Sequence, residues 1–303
     1  MRLGMVGLGR MGGPMARRLV EAGHGIVGHD EAEAARRRAG RSGVETFDEL
    51  DDLVAALLPP RVIWLMLPAG AATGAVLDRL AGLLATGDLV VDGGNSDWRD
   101  AEPRAAALAA VGVGFLDVGV SGGQWGWRHG YGLTVGGPPE QVELVWPGLI
   151  ALAAPGAVAR VGPTGAGHFV KAVHNGVEYG LMQAYAEGFA LLSAGDVDAS
   201  TALRVWQAGC SARSFLLEQM VAALAENPTL DGVGAAVADS GMGRWTAAEA
   251  VRLAVPTPVL SAALHARFAS RDAHQPANRL LAAARAQIGG HATGGPEGHP
   301  TDG

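Results

Sequence analysis

The chain has 303 residues, of which 49% are hydrophobic and 17% are charged, and its formal net charge is −7. This composition excludes a disordered chain and supplies enough apolar material for about two packed domains of roughly 150 residues each. The negative net charge argues against a general nucleic-acid binder, because such a protein needs a surplus of lysine and arginine.

The chain carries one cysteine and no recognisable targeting segment. Cys210 has no partner for an intrachain disulfide, which favours a reducing compartment, and we interpret it as a packed or inert thiol. The first apolar run, Leu3 to Val6, passes directly into glycines, unlike a secretory signal. No run of about 18 apolar residues is available to span a bilayer. We therefore expect a cytoplasmic protein without a membrane or nucleic-acid partner.

The first half of the chain alternates short apolar runs with helical patterns. The predicted strands are Arg2–Val6, Gly25–His29, Val62–Leu67, Leu89–Asp92, Gly114–Val118, Leu133–Val135 and Val158–Val161. Amphipathic helical stretches such as Met11–Ala22 and Ala71–Leu84 lie between the early strands. Alternating strands and helices predict βαβ units, and hence an α/β domain over residues 1–162 with a doubly wound, mostly parallel Rossmann sheet.

The second half of the chain is predicted to be all-helical, over residues 163–290. No proline interrupts the run from Ala166 to Ser193, which would form a helix about 42 Å long and suggests a central helix for this domain. Shorter helices are predicted at Ser200–Ala208, Arg213–Glu226, Ala247–Leu253, Pro258–Ser270 and Ala277–Gln287. The glycine- and proline-rich end, residues 291–303, is predicted to be a flexible tail.

A glycine-rich turn follows the first predicted strand and opens the first helical pattern. It reads Gly7-Leu8-Gly9-Arg10-Met11-Gly12. The first glycine permits a tight turn, the second lets a pyrophosphate approach the backbone, and the third lets the helix pack on the strand. The free N–H groups of the helix N-terminus then face the phosphates. In isolation this motif is weak, but between a strand and a helix it predicts a dinucleotide site.

The residue after the second predicted strand indicates which dinucleotide is bound. Asp30 lies 23 residues after Gly7, where an acid would hold the hydroxyls of the adenine ribose, although it could instead only cap the next helix. Glu31 and Glu33 add negative charge that would repel a 2′-phosphate, which favours NAD over NADP. NADP stays the alternative, because three arginines that follow could reach its 2′-phosphate: Arg36, Arg37 and Arg38. We interpret these arginines instead as a solvated helix face. The predicted cofactor contacts are completed by Leu67, Pro68, Ala69 and Asn95.

Three further segments carry polar groups that suit chemistry. Two follow predicted strands, Asp92-Gly-Gly-Asn-Ser96 and Ser121-Gly-Gly-Gln-Trp-Gly126. The third lies on the long helix and contains Lys171, His174, Asn175, Glu178 and Tyr179. These five positions share one helical face, because their spacings are i, i+3, i+4, i+7 and i+8. Such a polar face is not a core stripe, although a solvated face with a Lys–Glu pair is the plainer alternative.

Together, the segments GLGRMG, DGGNS, SGGQWG and KAVHNGVEYG resemble the shorter form of the 6-phosphogluconate dehydrogenases. The resemblance extends from about Met1 to His291. The SGG turn and the Lys-x-x-x-Asn spacing alone would indicate only the wider β-hydroxyacid dehydrogenases. The asparagine of GGN, the pair His174-Asn175 and the pair Glu178-Tyr179 narrow the resemblance to the phosphogluconate branch.

The resemblance implies an oxidative decarboxylation of 6-phosphogluconate, with Lys171, Glu178 and Asn175 as catalytic residues. Lys171 would be the base that takes the C3 hydroxyl proton, and Glu178 would protonate C1 of the product, ribulose 5-phosphate. A lysine amine with the ordinary pKa of about 10.4 is a poor base at neutral pH, so burial or nearby positive charge has to lower its pKa. Substrate positioning would fall to Asn95, Ser121, Gly122, Gly123, His174 and Asn175, with His174 alternatively a structural histidine. Backbone N–H groups of the SGG turn suit a carboxylate.

For the substrate phosphate, the resemblance implies Tyr179 and Arg267, together with Arg285 and His291 from a neighbouring subunit. Such sharing requires a homodimer or a homotetramer. Ordinary helix-surface charge is the alternative for both arginines.

The chain departs from the longer members in the loop Ser240–Thr246. Ser240 and Met242 stand where longer members have a phosphate-binding lysine and a threonine, and Arg244 is a candidate to compensate for the lost charge. This departure weakens the expectation of a phosphorylated substrate more than that of the reaction type.

Two other functions fit part of the pattern. Another β-hydroxyacid dehydrogenase would share the cofactor and Lys171 but act on a small or unphosphorylated acid. A non-catalytic sensor of dinucleotide or sugar phosphate would have no need of both Lys171 and Glu178. The nine histidines do not cluster with acids at metal-ligand spacing, so we expect no metal.

Overall fold

The computed structural model describes residues 1–289 of the chain. Its eight strands are β1 Arg2–Val6, β2 Gly25–His29, β3 Glu45–Phe47, β4 Val62–Leu65, β5 Leu89–Asp92, β6 Gly114–Ser121, β7 Tyr131–Gly136 and β8 Ala153–Gly162. The helices are α1 Gly12–Glu21, α2 Glu33–Gly40, α3 Leu50–Ala55, α4 Ala71–Leu83, α5 Ala101–Ala109, α6 Gly126–His129, α7 Pro139–Leu152, α8 Ala166–Ser193, α9 Ala199–Gly209, α10 Phe215–Glu226, α11 Met242–Arg252, α12 Pro258–Ala269 and α13 Pro276–Gly289.

The chain folds as two compact units. The first contains Met1–Val177 and Gly241–Ala254, and the second contains Glu178–Ser240 and the chain from Val255 onward. This grouping places the start of α8 and the whole of α11 with the sheet. The division predicted from sequence order, at residues 162 and 163, stays a prediction.

The eight strands form one sheet in the order β3-β2-β1-β4-β5-β6-β7-β8. All neighbouring strands are parallel except β6 and β7, which are antiparallel. The predicted Rossmann sheet is therefore confirmed. The strand order reverses at β1, and ligands of such sheets bind outside the carboxyl ends of the strands at this reversal. The segments after β1, β2, β4 and β5 all leave from this edge.

Alternating side chains build a core on each face of the sheet. Leu3, Met5 and Trp64 belong to one buried cluster, whereas Val6, Ile63 and Leu65 belong to the other. Both faces are covered because the strands are connected by helices, which is why the central strand β4 is apolar throughout and β5 is apolar up to Asp92.

The predicted strands are all present, with differences at their ends. Strand β6 continues to Ser121 because its antiparallel pairing with β7 extends to the pair Ser121 and Gly132. The three-residue strand β3 was not predicted, because it is too short to show a pattern. Helix α8 has the predicted bounds, Ala166–Ser193.

Helix α11 corrects the prediction for the segment around Met242. The sequence indicated a loop at Ser240–Thr246 and a helix from Ala247, but the helix begins at Met242. Gly241, with a φ of +89°, makes the turn into it. The Thr246 hydroxyl donates to the carbonyl oxygens of Ala172 and Met242, at 2.9 Å each, which fixes the first turn of α11 against α8.

The second unit is helical in its described part. Leu203, Leu217 and Leu224 form a small buried cluster between α9 and α10, and Tyr185 and Trp206 pack against it. Within residues 1–289, every helix is too short or too polar to cross a membrane. Cys210 follows α9 and is exposed, so it is not a packed thiol, and its inertness stays a prediction.

Candidate active site

The glycine turn after β1 has the geometry that a dinucleotide requires. Gly7 has a φ of +91°, a conformation that suits glycine. A Cβ atom at Gly12 would lie 1.8 Å from the Gly7 carbonyl oxygen, so only glycine lets α1 approach the turn. At Gly9, by contrast, no atom lies within 4 Å of the Cβ position. The middle glycine therefore leaves open space over the turn, and the residues present fit a pyrophosphate group there.

Asp30 lies directly beside this turn, at the end of β2. Its carboxylate accepts hydrogen bonds from the backbone N–H of Leu8 at 2.7 Å and of Ala32 at 2.9 Å. Asp30 thus supports both the glycine turn and the entry to α2. A carboxylate has about four acceptor positions, so these two bonds leave room for ribose hydroxyls.

The arginines of α2 differ from the predicted solvated face. The Arg36 guanidinium donates to the carbonyl oxygens of Asp30 and Glu31, at 2.6 and 3.0 Å, and so closes the carboxyl end of β2. Arg37 pairs with Glu33 at 3.6 Å, and Arg38 is exposed. The prediction was wrong for Arg36, because the carbonyl groups past the strand end needed donors that the sequence pattern did not show.

The DGGNS segment divides into a structural part and an exposed residue. The Asp92 carboxylate is fully buried and accepts from the backbone N–H of Gly94, from the Ser96 hydroxyl and from Arg104, at 2.8 to 3.0 Å. Asn95 alone among the polar residues of the segment is exposed. The fold therefore places Asn95 where a ligand can reach it.

The segment after β4 lies against the DGGNS segment. A Cβ atom at Gly94 would be 2.7 Å from the Leu67 carbonyl oxygen, so the two turns are in close contact. Pro68 and Ala69 are exposed beside them. Four of the predicted cofactor contacts thus share one edge of the sheet.

The SGG turn leaves β6 through two glycines with positive φ, Gly122 at +128° and Gly123 at +54°. The Tyr131 ring packs behind it, 3.2 Å from the Cβ position of Gly122. Within residues 1–289 the buried Tyr131 hydroxyl has no hydrogen-bond partner. Burial raises the pKa of Tyr131 to about 12. The phenol is thus a fixed, uncharged support for the turn.

Lys171 is only 9% exposed, and it lies over strand β6. A Cβ atom at Gly119 would lie 2.6 Å from the Lys171 Cβ, two residues before Ser121. The lysine stem therefore starts beside the SGG turn, and it meets the condition of burial that the sequence required of a catalytic amine.

Asn175 lies one helical turn after Lys171 and has a sulfur partner. Its side-chain amide donates to the Met242 sulfur at 2.7 Å, and its oxygen lies 3.3 Å from Nδ1 of the exposed His174. Met242, named in the sequence only as a departure from the longer relatives, is fully buried and orients Asn175.

In the second unit, Tyr179 and Arg267, the two residues predicted to bind phosphate, are in contact. The Arg267 guanidinium carbon lies 3.7 Å from the centre of the Tyr179 ring. The Tyr179 hydroxyl accepts from the backbone N–H of Ser240 at 3.2 Å, and Arg267 also donates to the Ala238 carbonyl oxygen at 2.8 Å. Glu178, the neighbour of Tyr179 on α8, is half-buried.

Arg271 is a cation that the sequence did not single out. It lies four residues after Arg267, just past the end of α12, donates to the Arg267 carbonyl oxygen at 3.2 Å and pairs with the buried carboxylate of Asp239 at 2.8 Å. The i, i+4 spacing of two arginines was the available signal. Arg244 is exposed on α11 and Arg285 is exposed on α13, whereas His291 lies outside the described residues.

Comparison with protein-family models agrees with this arrangement. Residues 2–162 match the NAD binding domain of 6-phosphogluconate dehydrogenase, and residues 167–293 match the 6-phosphogluconate dehydrogenase C-terminal domain. The chain belongs to the 6-phosphogluconate dehydrogenase family. The resemblance found in the four sequence segments is thereby confirmed.

The members of the 6-phosphogluconate dehydrogenase family that resemble this chain include proteins of similar length and longer proteins. An NAD(+)-dependent, decarboxylating 6-phosphogluconate dehydrogenase of Haloferax volcanii is 42% identical, over 96% of this chain and 98% of its own length. YqeC of Bacillus subtilis, provisionally named a 6-phosphogluconate dehydrogenase, is 36% identical over 97% of this chain and 99% of its own. The solved 6-phosphogluconate dehydrogenase of Plasmodium falciparum is 27% identical, with a TM-score of 0.81, but this chain covers 65% of its length.

Proposed function

We propose that this chain is an NAD-dependent dehydrogenase that oxidises and decarboxylates 6-phosphogluconate to ribulose 5-phosphate. One observation carries the proposal. A buried lysine starts beside the SGG turn and shares its helix with Asn175 and Glu178, in a chain that matches both domains of the family. The full-length likeness to the NAD(+)-dependent enzyme of Haloferax volcanii supports the choice of cofactor and reaction.

The cofactor contacts fall on the glycine turn and on Asp30. The open space over Gly9 admits the pyrophosphate, and the N-terminus of α1 directs N–H groups toward it. Asp30 receives the adenine ribose hydroxyls, and its charge with that of Glu31 disfavours a 2′-phosphate. When bound, NAD supplies the acceptor for the hydride that leaves the substrate.

Lys171 performs the proton transfers of the oxidation. Its amine takes the proton of the C3 hydroxyl while the C3 hydride departs, which leaves a ketone at C3. The C1 carboxylate then leaves as carbon dioxide, because the ketone accepts the electron pair of the broken bond. Lys171, now protonated, donates to the ketone oxygen as the enediol forms, and Glu178 protonates the carbon that becomes C1 of ribulose 5-phosphate. Each such proton transfer contributes about 10²- to 10⁴-fold to the rate.

The remaining predicted residues bind the substrate. Backbone N–H groups of the SGG turn, Ser121 to Gly123, receive the carboxylate, while Asn95, His174 and Asn175 position the hydroxyls. The phosphate binds Tyr179 and Arg267, together with Arg285 and His291 of a neighbouring copy in a homodimer or homotetramer. We place the enzyme in the cytoplasm, which the single exposed thiol Cys210 supports.

The proposed phosphate site differs from that of the longer relatives, because Ser240 stands where they have a phosphate-binding lysine. Ser240 offers no positive charge, and a lost charge-assisted hydrogen bond costs about 1.5 to 3 kcal/mol. Arg244 is the candidate that the sequence offers to replace this charge. Ser240 is also the residue that favours the second candidate function, the oxidation of an unphosphorylated 3-hydroxy acid.

The deciding experiment follows reduced cofactor and carbon dioxide together. Purified enzyme is given 6-phosphogluconate with NAD or with NADP, and Lys171→Met is the matched control. Equal rates of NADH and carbon dioxide that vanish in the control support the proposal. Activity only with gluconate or 3-hydroxyisobutyrate favours the second candidate. Cofactor binding without turnover of any of these acids identifies a sensor.

A further inference from the structure

The start of helix α8 is capped by a carboxylate from the sheet. Asp117 lies in the middle of β6 and is fully buried. Its Oδ1 accepts from the backbone N–H of Gly165 at 2.6 Å, and its Oδ2 accepts from that of His168 at 2.8 Å. N–H groups in the first turn of a helix have no partner within the helix, and a negative charge there also opposes the helix dipole favourably. Asp117 therefore fixes the height of α8 above strand β6.

Two further contacts attach the same turn to the neighbouring strands. The His168 Nε2 lies 3.1 Å from the carbonyl oxygen of Asp92, at the end of β5. Because a carbonyl oxygen only accepts, Nε2 carries the hydrogen. The Thr134 hydroxyl, on β7, donates to the Gly167 carbonyl oxygen at 3.0 Å. The first turn of α8 thus contacts the three adjacent strands β5, β6 and β7, which prevents it from rotating about the helix axis.

Three glycines bring α8 closer to the sheet than side chains would allow. A Cβ atom at Gly167 would lie 2.5 Å from the carbonyl oxygens of Asp117 and Thr134. A Cβ atom at Gly136 would lie 2.4 Å from the Asp117 carboxylate, and one at Gly119 would lie 2.6 Å from the Lys171 Cβ. Lys171 is thus placed directly above the strand that leads into the SGG turn.

We propose that Asp117 and His168 are positioning residues for Lys171. Neither acts on the substrate. Asp117 holds the axial position of α8 and His168 holds its rotation, so that the amine one turn later keeps its distance from the reacting hydroxyl. A slip of one residue turns a helix by about 100°, and an error of about 1 Å in a reacting group can cost about 10²-fold in rate. The inference rests on the proposed role of Lys171 as the base.

The first test compares two isosteric changes at helix caps. Asp117→Asn keeps the shape but leaves one N–H of α8 facing an amide donor. Asp198→Asn makes the same change at the cap of α9, where Asp198 accepts from the Thr201 N–H at 2.9 Å in the second unit. We expect Asp117→Asn to lower kcat about 30-fold with KM nearly unchanged, and Asp198→Asn to leave both near wild type. Substrate deuterated at C3 should show a larger isotope effect only in Asp117→Asn, because hydride transfer becomes slower than the other steps.

The second test separates position from fold stability at His168. Gln places an N–H donor close to the Nε2 position, whereas Met fills similar space without a donor. We expect His168→Gln to retain most of the wild-type kcat and His168→Met to lose about 10-fold or more. Equal kcat in the two variants would remove His168 from the proposal, and this pair also decides the question if Asp117→Asn fails to fold.

Hydrogen exchange distinguishes a failure of this inference from a failure of the proposed function. Amide exchange over residues 166–172 should accelerate in Asp117→Asn and not in Asp198→Asn. If the wild type does not oxidise 6-phosphogluconate, the proposed function is wrong, and faster exchange still supports the anchoring. Unchanged exchange, or a lower melting temperature with wild-type kcat and isotope effect, would overturn the positioning role.

Discussion

The two halves of helix α8 carry chemical groups that are held in different ways. Around Lys171, the contacts are made by backbone atoms and short side chains, at glycines that admit no Cβ. Around Tyr179, they are made by a long arginine side chain stacked on a ring. The lysine end is therefore fixed by close packing, whereas the tyrosine end depends on side chains that can change rotamer.

This difference matches the two tasks in the proposed reaction. A base has to meet one hydroxyl within hydrogen-bond distance, so its helix is fixed before substrate arrives. A phosphate on a flexible sugar acid can be held by charge from several directions, and a planar guanidinium is suited to it. Substitutions of Lys171 and of the residues that anchor it should thus change kcat, and those of the phosphate-binding pair Tyr179 and Arg267 should change KM.

The largest effect is expected at the base. Lys171→Met should lower kcat by about 10³-fold or more, because no other amine of the described chain is anchored beside the SGG turn. The dissociation constant of NAD, measured by fluorescence titration, should stay within a few-fold of wild type. Substantial turnover in this variant would show that the lysine end does not carry the base.

Glu178→Gln should slow the protonation of the enediol by about 10²-fold and hydride transfer much less. A single-turnover experiment should therefore show a burst of NADH followed by slow release of ribulose 5-phosphate. An unchanged overall rate would remove Glu178 as the acid and would place all of the chemistry at the lysine end.

At the tyrosine end, Arg267→Ala should raise KM for 6-phosphogluconate by about 10- to 150-fold, the cost of one charge-assisted hydrogen bond. The kcat should change much less. Tyr179→Phe is the matched variant, because it keeps the ring for stacking and removes the hydroxyl, which accepts from the Ser240 N–H and is proposed to contact the phosphate. A similar loss with gluconate would mean that Arg267 does not bind the phosphate.

A smaller effect is expected at the cofactor. Asp30→Ala should weaken the binding of NAD by about 10-fold or more and the binding of NADP distinctly less, since only NAD offers both hydroxyls of the adenine ribose. Some loss should be common to both cofactors, because Asp30 also holds the Leu8 N–H of the glycine turn. Equal losses in isothermal titrations would show that Asp30 acts through the turn alone.

The smallest effect at neutral pH is expected for Tyr131→Phe, which removes a buried hydroxyl without a partner in residues 1–289. The free energy of unfolding should be unchanged or rise by about 1 kcal/mol. Because burial raises the pKa of Tyr131 from 10.0 to about 12, the folded state retains its proton over that range while the unfolded state loses it. Wild-type stability should therefore fall by about 2 kcal/mol more than that of the variant between pH 10 and pH 12. Parallel denaturant curves at each pH test this.

The sequence predicted the groups proposed for chemistry and binding more fully than the residues that hold them in place. Glycine and short polar residues at fixed spacing leave a readable pattern, so the glycine turn, DGGNS, SGG and the exact bounds of α8 were found. The anchors Asp117 and His168 were not predicted. The role of an acid within a strand becomes visible only when the structure places the N–H groups of another element beside it. Met242 and Arg271 were missed for the same reason, since their partners Asn175 and Asp239 are distant in sequence.

The hydrogen bond from Asn175 to the Met242 sulfur makes the orientation of the Asn175 side chain dependent on a thioether. Oxidation to the sulfoxide would add an oxygen between two groups that are 2.7 Å apart and would turn the Asn175 amide away. Met242 is fully buried, so peroxide reaches it only when α11 separates from α8. Peroxide inactivation should accordingly follow the opening of these two helices, and reduction of the sulfoxide by a methionine sulfoxide reductase should restore activity.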